Sequence, residues 1–68
     1  MKKTNVWSRK ANEIFKAANL DLTAKGNEWM GCIEVIGDKG LMVAAEVLLS
    51  SNGFQTWMDG TRTVYAQK

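Results

Sequence analysis

The chain of 68 residues contains no histidine, no proline and a single cysteine, Cys32. Because histidine is the commonest general base, its absence excludes the Ser-His and Cys-His arrangements of nucleophilic catalysis. One cysteine forms no internal disulfide, and without histidine it cannot complete a tetrahedral zinc site. We therefore expect no enzymatic activity, no metal and no cofactor, and we expect Cys32 to be a small core residue.

The sequence also lacks long apolar runs and a strong excess of one charge. No stretch approaches the ~20 apolar residues of a membrane helix. Lys2 and Lys3 are followed by polar residues, unlike the start of a signal peptide. The net charge of +2 is a weak bias for a nucleic-acid binder. We expect one folded domain over residues 1–68, without a membrane span, in the cytoplasm, where a free thiol stays reduced.

What the sequence does contain is a near repeat. Residues 11–19 read ANEIFKAAN, and residues 44–52 read AAEVLLSSN. Each segment is followed by an alternating stretch, a glycine-centred turn and a second stretch. The pattern predicts two consecutive units, each made of a helix and a hairpin.

In the first unit, a helix is predicted over residues 5–19, with Thr4 or Ser8 as its N-cap and Asn19 as its stop. Residues 20–23 alternate as a strand does, and residues 25–27, Lys-Gly-Asn, are typical of a turn. Residues 28–36 form the next predicted strand, with Trp29 in the core. If residues 20–24 are only a loop, the layout becomes α-β-α-β-β.

In the second unit, a helix is predicted over residues 39–52, capped by Asp38. Asn52, Gly53 and Phe54 are typical of a Schellman ending, in which a glycine takes the left-handed conformation. The helix is apolar on nearly every side, and such a helix is either deeply buried or covered by a partner. Candidates for a partner surface or a homodimer interface on it are Met42, Val43 and Leu49.

The last hairpin is predicted from Asp59-Gly60, which favours a two-residue turn of type I′. That register pairs Trp57 with Arg62 and Phe54 with Tyr65. Since Phe54 is tied to the helix end, its face is expected in the core. The outward face then carries Gln55, Trp57, Arg62 and Val64. The predicted fold is α+β, with the layout α-β-β-α-β-β and an antiparallel sheet covered on one face by two helices.

No constellation of catalytic groups is apparent in the sequence. The carboxylates are dispersed, and we expect them to be solvated or to cap helices. Glu34 lies among apolar residues of a predicted strand, and we expect it at a sheet edge beside water or a lysine. Residues 37–40, Gly-Asp-Lys-Gly, lack the spacing of a phosphate-binding loop.

Residues 44–67, AAEVLLSSNGFQTWMDGTRTVYAQ, resemble the helix, Gly-Phe and hairpin of the HicA-type toxin family, whose fold is like that of double-stranded-RNA-binding domains. The resemblance rests on Asn52-Gly53-Phe54 and on the hairpin turn. Gly60-Thr61-Arg62 stands where the family has its catalytic histidine, so the resemblance does not imply RNA cleavage. It is not counted as membership of the family.

Two hypotheses for function follow. The first is a protein-binding module without enzymatic activity, of the kind that phages and mobile elements use to block a larger host protein by steric occlusion. It would act through Trp57, Arg62 and their neighbours. The alternative is a small nucleic-acid-binding regulator, in which Trp57 or Tyr65 stacks a base. The phosphate contacts would come from Lys2, Lys3, Arg9, Lys10 and Arg62.

Overall fold

The computed structural model describes residues 3–60 and 63–68. In chain order the elements are α1 (Lys3–Ala17), β1 (Leu22–Asn27), β2 (Cys32–Gly37), a 3₁₀ turn (Lys39–Leu41), α2 (Met42–Ser51), β3 (Gln55–Asp59) and β4 (Thr63–Gln67). The strands form one antiparallel sheet in the order β1-β2-β4-β3. The predicted α+β layout is confirmed, and the alternative without the first strand is wrong.

The core lies between the two helices and one face of the sheet. Successive side chains of a strand point to opposite faces, so alternate residues of each strand reach the helices. Leu49 of α2 and Phe15 of α1 are the largest helix side chains that fill this layer together with Met42. The strand residues buried against them are Leu22, Ala24, Ile33, Val35, Val64 and Ala66.

The end of α2 is the predicted Schellman motif. The N–H of Gly53 donates to the carbonyl of Ser50 at 3.2 Å, and the N–H of Phe54 donates to that of Leu49 at 3.1 Å. Gly53 has a φ of 89°, which a residue with a Cβ adopts only with strain. Phe54 is thereby turned into the core, as expected.

The end of α1 has the same hydrogen bonds. Asn19 donates to the carbonyl of Lys16 at 3.1 Å, and Leu20 donates to that of Phe15 at 2.9 Å. Asn19 has a φ of 59°, and asparagine tolerates this left-handed conformation better than most residues. The prediction that Asn19 stops the helix is confirmed.

The helix starts agree with the sequence at α2 and differ at α1. Asp38 accepts a hydrogen bond from the Gly40 N–H at 2.8 Å and so caps the 3₁₀ turn that continues into α2. Thr4 and Ser8 both lie inside α1, so the prediction that one of them is its N-cap is wrong. Ser8 instead donates to the carbonyl of Asn5 at 3.0 Å.

The first hairpin turns later than predicted. Residues 25–27 belong to β1, and the turn is Glu28–Gly31. Gly31, with a φ of 70°, supplies the left-handed residue of this turn. Gly26 has another role, because a Cβ there would lie 3.0 Å from Oγ1 of Thr4. The glycine thus permits the close approach of α1 to β1, and the turn prediction for residues 25–27 is wrong.

The second hairpin has a different register from the predicted one. Trp57 faces Tyr65, Met58 faces Val64 and Asp59 faces Thr63, which leaves residues 60–62 as the connection. An odd shift in register exchanges the two faces of a strand. Val64 is therefore buried and Tyr65 faces outward, the reverse of the prediction. Thr61 and Arg62 lie outside the described residues, and with them the predicted outward position of Arg62.

Most of the apolar side chains of α2 pack against the core of the domain. Met42, Ala45 and Leu49 point into the core, and Leu41 and Leu48 pack at its margin. The structure thus places Met42 and Leu49 in the core, where a partner cannot reach them. Val43 is 63% exposed and is the member of the predicted partner surface on α2 that is accessible.

Candidate binding face

The side of the sheet opposite the helices is not covered by any described element, and we call it the open face. The residues of the open face are identified from the registers of the strand pairs, since cross-strand partners share a face. The two central strands contribute the buried Cys32 and also Glu34, Ile36, Thr63, Tyr65 and Gln67, and the edge strands contribute Thr23, Lys25, Asn27, Gln55, Trp57 and Asp59. Of these, Gln55 and Trp57 are residues of the predicted partner site.

A row of four side chains crosses the middle of the open face. Lys25 faces Glu34, Glu34 faces Tyr65, and Tyr65 faces Trp57. The rings of Tyr65 and Trp57 are stacked, with centroids 5.8 Å apart and planes inclined by 22°. Glu34 therefore lies on a central strand instead of an edge, and a lysine is its cross-strand neighbour, as expected. Asn27 also donates to Oε1 of Glu34 at 3.4 Å.

Two groups near this row have shifted acidities. Desolvation raises the pKa of the Tyr65 hydroxyl, and the negative charges of Glu34 and Asp59 raise it further. Burial, followed by the charge of Glu34, raises the pKa of the Cys32 thiol. Both groups are therefore protonated at neutral pH. Cys32 is wholly buried, in accord with its prediction as a core residue, and a protonated thiol is a poor nucleophile.

Trp29 is the most exposed large hydrophobic side chain of the described residues, at 94%. The prediction that it lies in the core is wrong, because residues 28–31 form the hairpin turn and leave no sheet position for it. The turn is held by two hydrogen bonds, from Met30 N–H to Oδ1 of Asn27 at 3.1 Å and from Gly31 N–H to the Glu28 carbonyl at 3.2 Å. Trp29 borders a cleft on the open face.

The cleft beside Trp29 is lined by open-face residues that include Lys25, Glu34 and Ile36. Ile36 is about half exposed, so the cleft combines apolar surface with the ammonium group of Lys25 and the carboxylates of Glu28 and Glu34. The sequence reasoning missed Trp29 and Ile36 as members of a surface. Gly31 was the signal available in the sequence. A glycine four residues before Val35, which is buried, is more typical of the end of a turn than of the interior of a strand.

A second apolar surface lies on the helix layer. The groove between the end of α1 and α2, called the helix groove, has an almost wholly apolar lining. Val47 is its most exposed large residue, at 59%. The helix groove is lined by Ala18, Leu20, Ala44, Val47, Leu48 and Ser51. Val43 lies on the same helix, one turn before Val47, so the predicted hairpin and helix sites are on opposite sides of the molecule.

Three basic residues of the nucleic-acid alternative, Lys3, Arg9 and Lys10, are exposed on α1 in the helix layer. The aromatic residues of that alternative, Trp57 and Tyr65, lie on the open face. The structure therefore does not bring these three basic residues together with the two aromatic ones. Lys2 and Arg62 are outside the described residues.

Residues 3–60 and 63–68 contain neither a membrane-spanning helix nor a metal-binding cluster. No helix among them is both long and apolar enough to cross a membrane. No cluster of three or more histidine, cysteine, aspartate or glutamate side chains among them can hold a metal ion.

Comparison with family models, with curated proteins and with solved structures finds no match to this chain. No family model thus supports the resemblance of residues 44–67 to HicA-type toxins.

Proposed function

We propose that the protein is a non-enzymatic protein-binding module and that it binds a larger protein through the open face. The observation that carries the proposal is the exposure of Trp29. This side chain is almost fully in water, on a turn that is held by hydrogen bonds within residues 27–31. Burying a tryptophan removes a large apolar area from water, and tryptophan is the residue type most enriched among interface hot spots. A partner that covers Trp29 therefore gains from a side chain that the monomer leaves in water.

The surroundings of Trp29 suit a protein surface as the ligand. The open face combines the stacked pair Trp57 and Tyr65 with the exposed Ile36 and with the polar ends of Gln55 and Lys25. Interfaces have this composition, in which aromatic anchors are surrounded by polar groups. A sheet face is also rigid, so little conformational entropy is lost when it binds. Binding there would block the covered part of the partner by steric occlusion.

Charge argues for a protein over a nucleic acid on this face. The charged side chains that the described strands place there are Lys25, Glu34 and Asp59, two carboxylates against one ammonium group. Phosphate binding requires an excess of lysine and arginine at the contact surface. The nucleic-acid alternative stays a prediction for the basic side of α1, and polarisation titrations at two salt concentrations test it. The cytoplasm, where the Cys32 thiol stays reduced, is the compartment that we infer for this function.

The test is affinity capture from the cells that make the protein, with Trp29→Ala and Trp57→Ala compared with wild type. We expect wild type to retain one protein partner and Trp29→Ala to weaken its binding at least tenfold, the scale of a hot-spot residue. Because Trp29 contacts little of its own chain, the variant should keep its stability.

The matched control is Val47→Ala, which truncates an exposed apolar side chain on the helix layer. It should retain the partner at wild-type affinity. If Trp29→Ala and Trp57→Ala bind the partner with wild-type affinity and Val47→Ala does not bind it, the binding site is the helix groove and not the open face. A captured nucleic acid in place of a protein would favour the alternative.

A further inference from the structure

The two edges of the sheet are treated differently by the helices beside them. At the β1 edge, the carboxamide of Asn12 donates to the Ala24 carbonyl at 3.1 Å and accepts from the Ala24 N–H at 2.8 Å. Both backbone groups are thereby satisfied from within the chain. β1 also carries Lys25, and a lysine on an edge strand opposes pairing with another strand. The middle of the β1 edge is thereby closed to a further strand.

The β3 edge has neither device. β3 reads Gln-Thr-Trp-Met-Asp, without lysine or proline, and no strand among residues 3–60 and 63–68 pairs with its outer side. Within the described part of the chain, no side chain forms a hydrogen bond to the backbone of residues 55–59. Glu46 stands three residues before Leu49, as Asn12 stands three before Phe15, but a carboxylate only accepts hydrogen bonds. It cannot satisfy both an N–H and a carbonyl as Asn12 does.

We infer that β3 pairs antiparallel with β3 of a second copy, which joins the two sheets into one of eight strands. Full overlap of the five-residue strand fixes the register. Trp57 then faces Trp57 of the second copy, and Gln55 faces Asp59 in both directions. Because partners in an antiparallel pair share a face, this register keeps all four helices on one side and both open faces on the other.

The side chains support a second copy as the occupant. A single strand that pairs with itself needs a sequence that complements its own reverse. Here the amide group of Gln55 can donate to the carboxylate of Asp59 at both ends, and an aromatic pair occupies the two-fold axis. No like charges meet across the pair. The stacked rings of Trp57 and Tyr65 in each copy would extend into a row of four aromatic side chains.

The size of the chain adds a reason for association. A domain of 68 residues buries a smaller fraction of its surface than larger domains do and gains stability from a partner copy. Met42 and Leu49, two of the three residues predicted for a homodimer on α2, are buried, whereas pairing at the β3 edge needs no rearrangement of the core. The inference does not depend on the open face binding another protein, because its test uses the purified chain alone.

The test is sedimentation velocity from low micromolar to near-millimolar concentration. Wild type should shift from the 7.6 kDa monomer to a particle of twice that mass. Gln55→Asp places two carboxylates opposite each other at both ends of the pair and should raise the dissociation constant about tenfold. The double variant Gln55→Asp, Asp59→Lys restores opposite charges and should return the dissociation constant to the wild-type value or below it.

Both substituted positions are exposed, and circular dichroism of each variant should match wild type, which separates weaker association from misfolding. The control is Val47→Asp, which puts a charge on the helix groove and should leave the dimer intact. A monomer at every concentration overturns the inference. So does a dimer that survives Gln55→Asp unchanged and is lost with Val47→Asp, since that dimer would form through the helix groove.

Discussion

The two helix-hairpin units share the way their helices end and one buried position, and they differ in their hairpin turns and strand edges. Both helices close with the same pair of backbone hydrogen bonds, made by Asn19 and Leu20 in the first unit and by Gly53 and Phe54 in the second. Measured from these ends, Phe15 and Leu49 hold the same buried position. The structural match is one residue out of step with the sequence repeat, in which Asn19 corresponds to Asn52. Positions in the two units are therefore equivalent when they lie at the same distance from the residue that takes the left-handed conformation, Asn19 or Gly53.

The differences lie outside the shared core. The first unit closes its strand edge with Asn12 and presents Trp29 on a hairpin turn of four residues. In the second unit, the last pair of the hairpin is Asp59 with Thr63, and no described strand covers its outer edge. A core position constrains both units equally, whereas a turn or an edge can change without cost to packing. The two units therefore differ at their turns and edges, outside the core that they share.

The largest effect is expected from the residue that closes the first edge. Asn12→Ala removes two hydrogen bonds and leaves the part-buried N–H and carbonyl of Ala24 without that partner, which should cost about 2 kcal/mol. Glu46→Ala, at the matching position of α2, should cost less than about 0.5 kcal/mol. Urea unfolding measures both free energies. Equal losses in the two variants would show that the edges are not treated differently.

A smaller effect separates the two helix ends. Gly53→Ala places a Cβ in the left-handed conformation, at a cost of about 1–2 kcal/mol. The nearest atom to that Cβ is Nζ of Lys68 at 3.9 Å, so the cost is conformational and not a clash. Asn19→Gly should change stability by less than about 0.5 kcal/mol, since the gain in conformational ease is offset by backbone entropy. Thermal unfolding compares them, and a neutral Gly53→Ala would contradict the assignment of the motif.

The smallest effect concerns the pair where the two units meet, Glu34 and Tyr65. The pKa of Tyr65 is raised by desolvation and then by Glu34 and Asp59, so the folded state holds this proton more firmly than the unfolded state. The contribution of this group to stability is complete below the ordinary pKa of tyrosine, and it is lost as the pH rises through the raised value.

Since Tyr65 is the single tyrosine of the chain, tyrosinate absorbance reports its titration directly. The absorbance should rise at a higher pH in the folded protein than in urea. Glu34→Gln should move the folded curve part of the way back, because it removes one of the nearby negative charges. Identical absorbance curves in the folded and unfolded protein would show that the hydroxyl of Tyr65, where the two units meet, is as well solvated in the folded protein as in the unfolded chain.

The layout and the helix ends could be predicted from the sequence because their signals are local. The Schellman motif at Gly53 and the cap at Asp38 depend on residues within one helical turn, and the periodicities of the helices lie within one element. The hairpin turns could not be placed as well. Lys25-Gly26-Asn27 and Asp59-Gly60 both look like turns, but the choice of register also depends on contacts with the helices. Gly26 faces Thr4, far away in the sequence.

The candidate site was predicted in part for the same reason. Trp57 and Gln55 were placed on the outward face, because they alternate with Phe54, whose position the helix end fixes. Their neighbours were wrong, since Tyr65 and Val64 exchange faces with the register of the hairpin. Trp29 was missed because an apolar residue beside other apolar residues reads as core, and only the turn removes it from the sheet.

The sequence by itself determined two helix-hairpin units, the absence of histidine-dependent chemistry and the residues that end each helix. These follow from composition and from interactions within a few residues. Only the tertiary structure decided which face each strand buries, that Met42 and Leu49 are core, and that Trp29 stands in water. The reason is that a strand has two faces of similar composition here, and the choice between them is made by the helices that pack across the sheet.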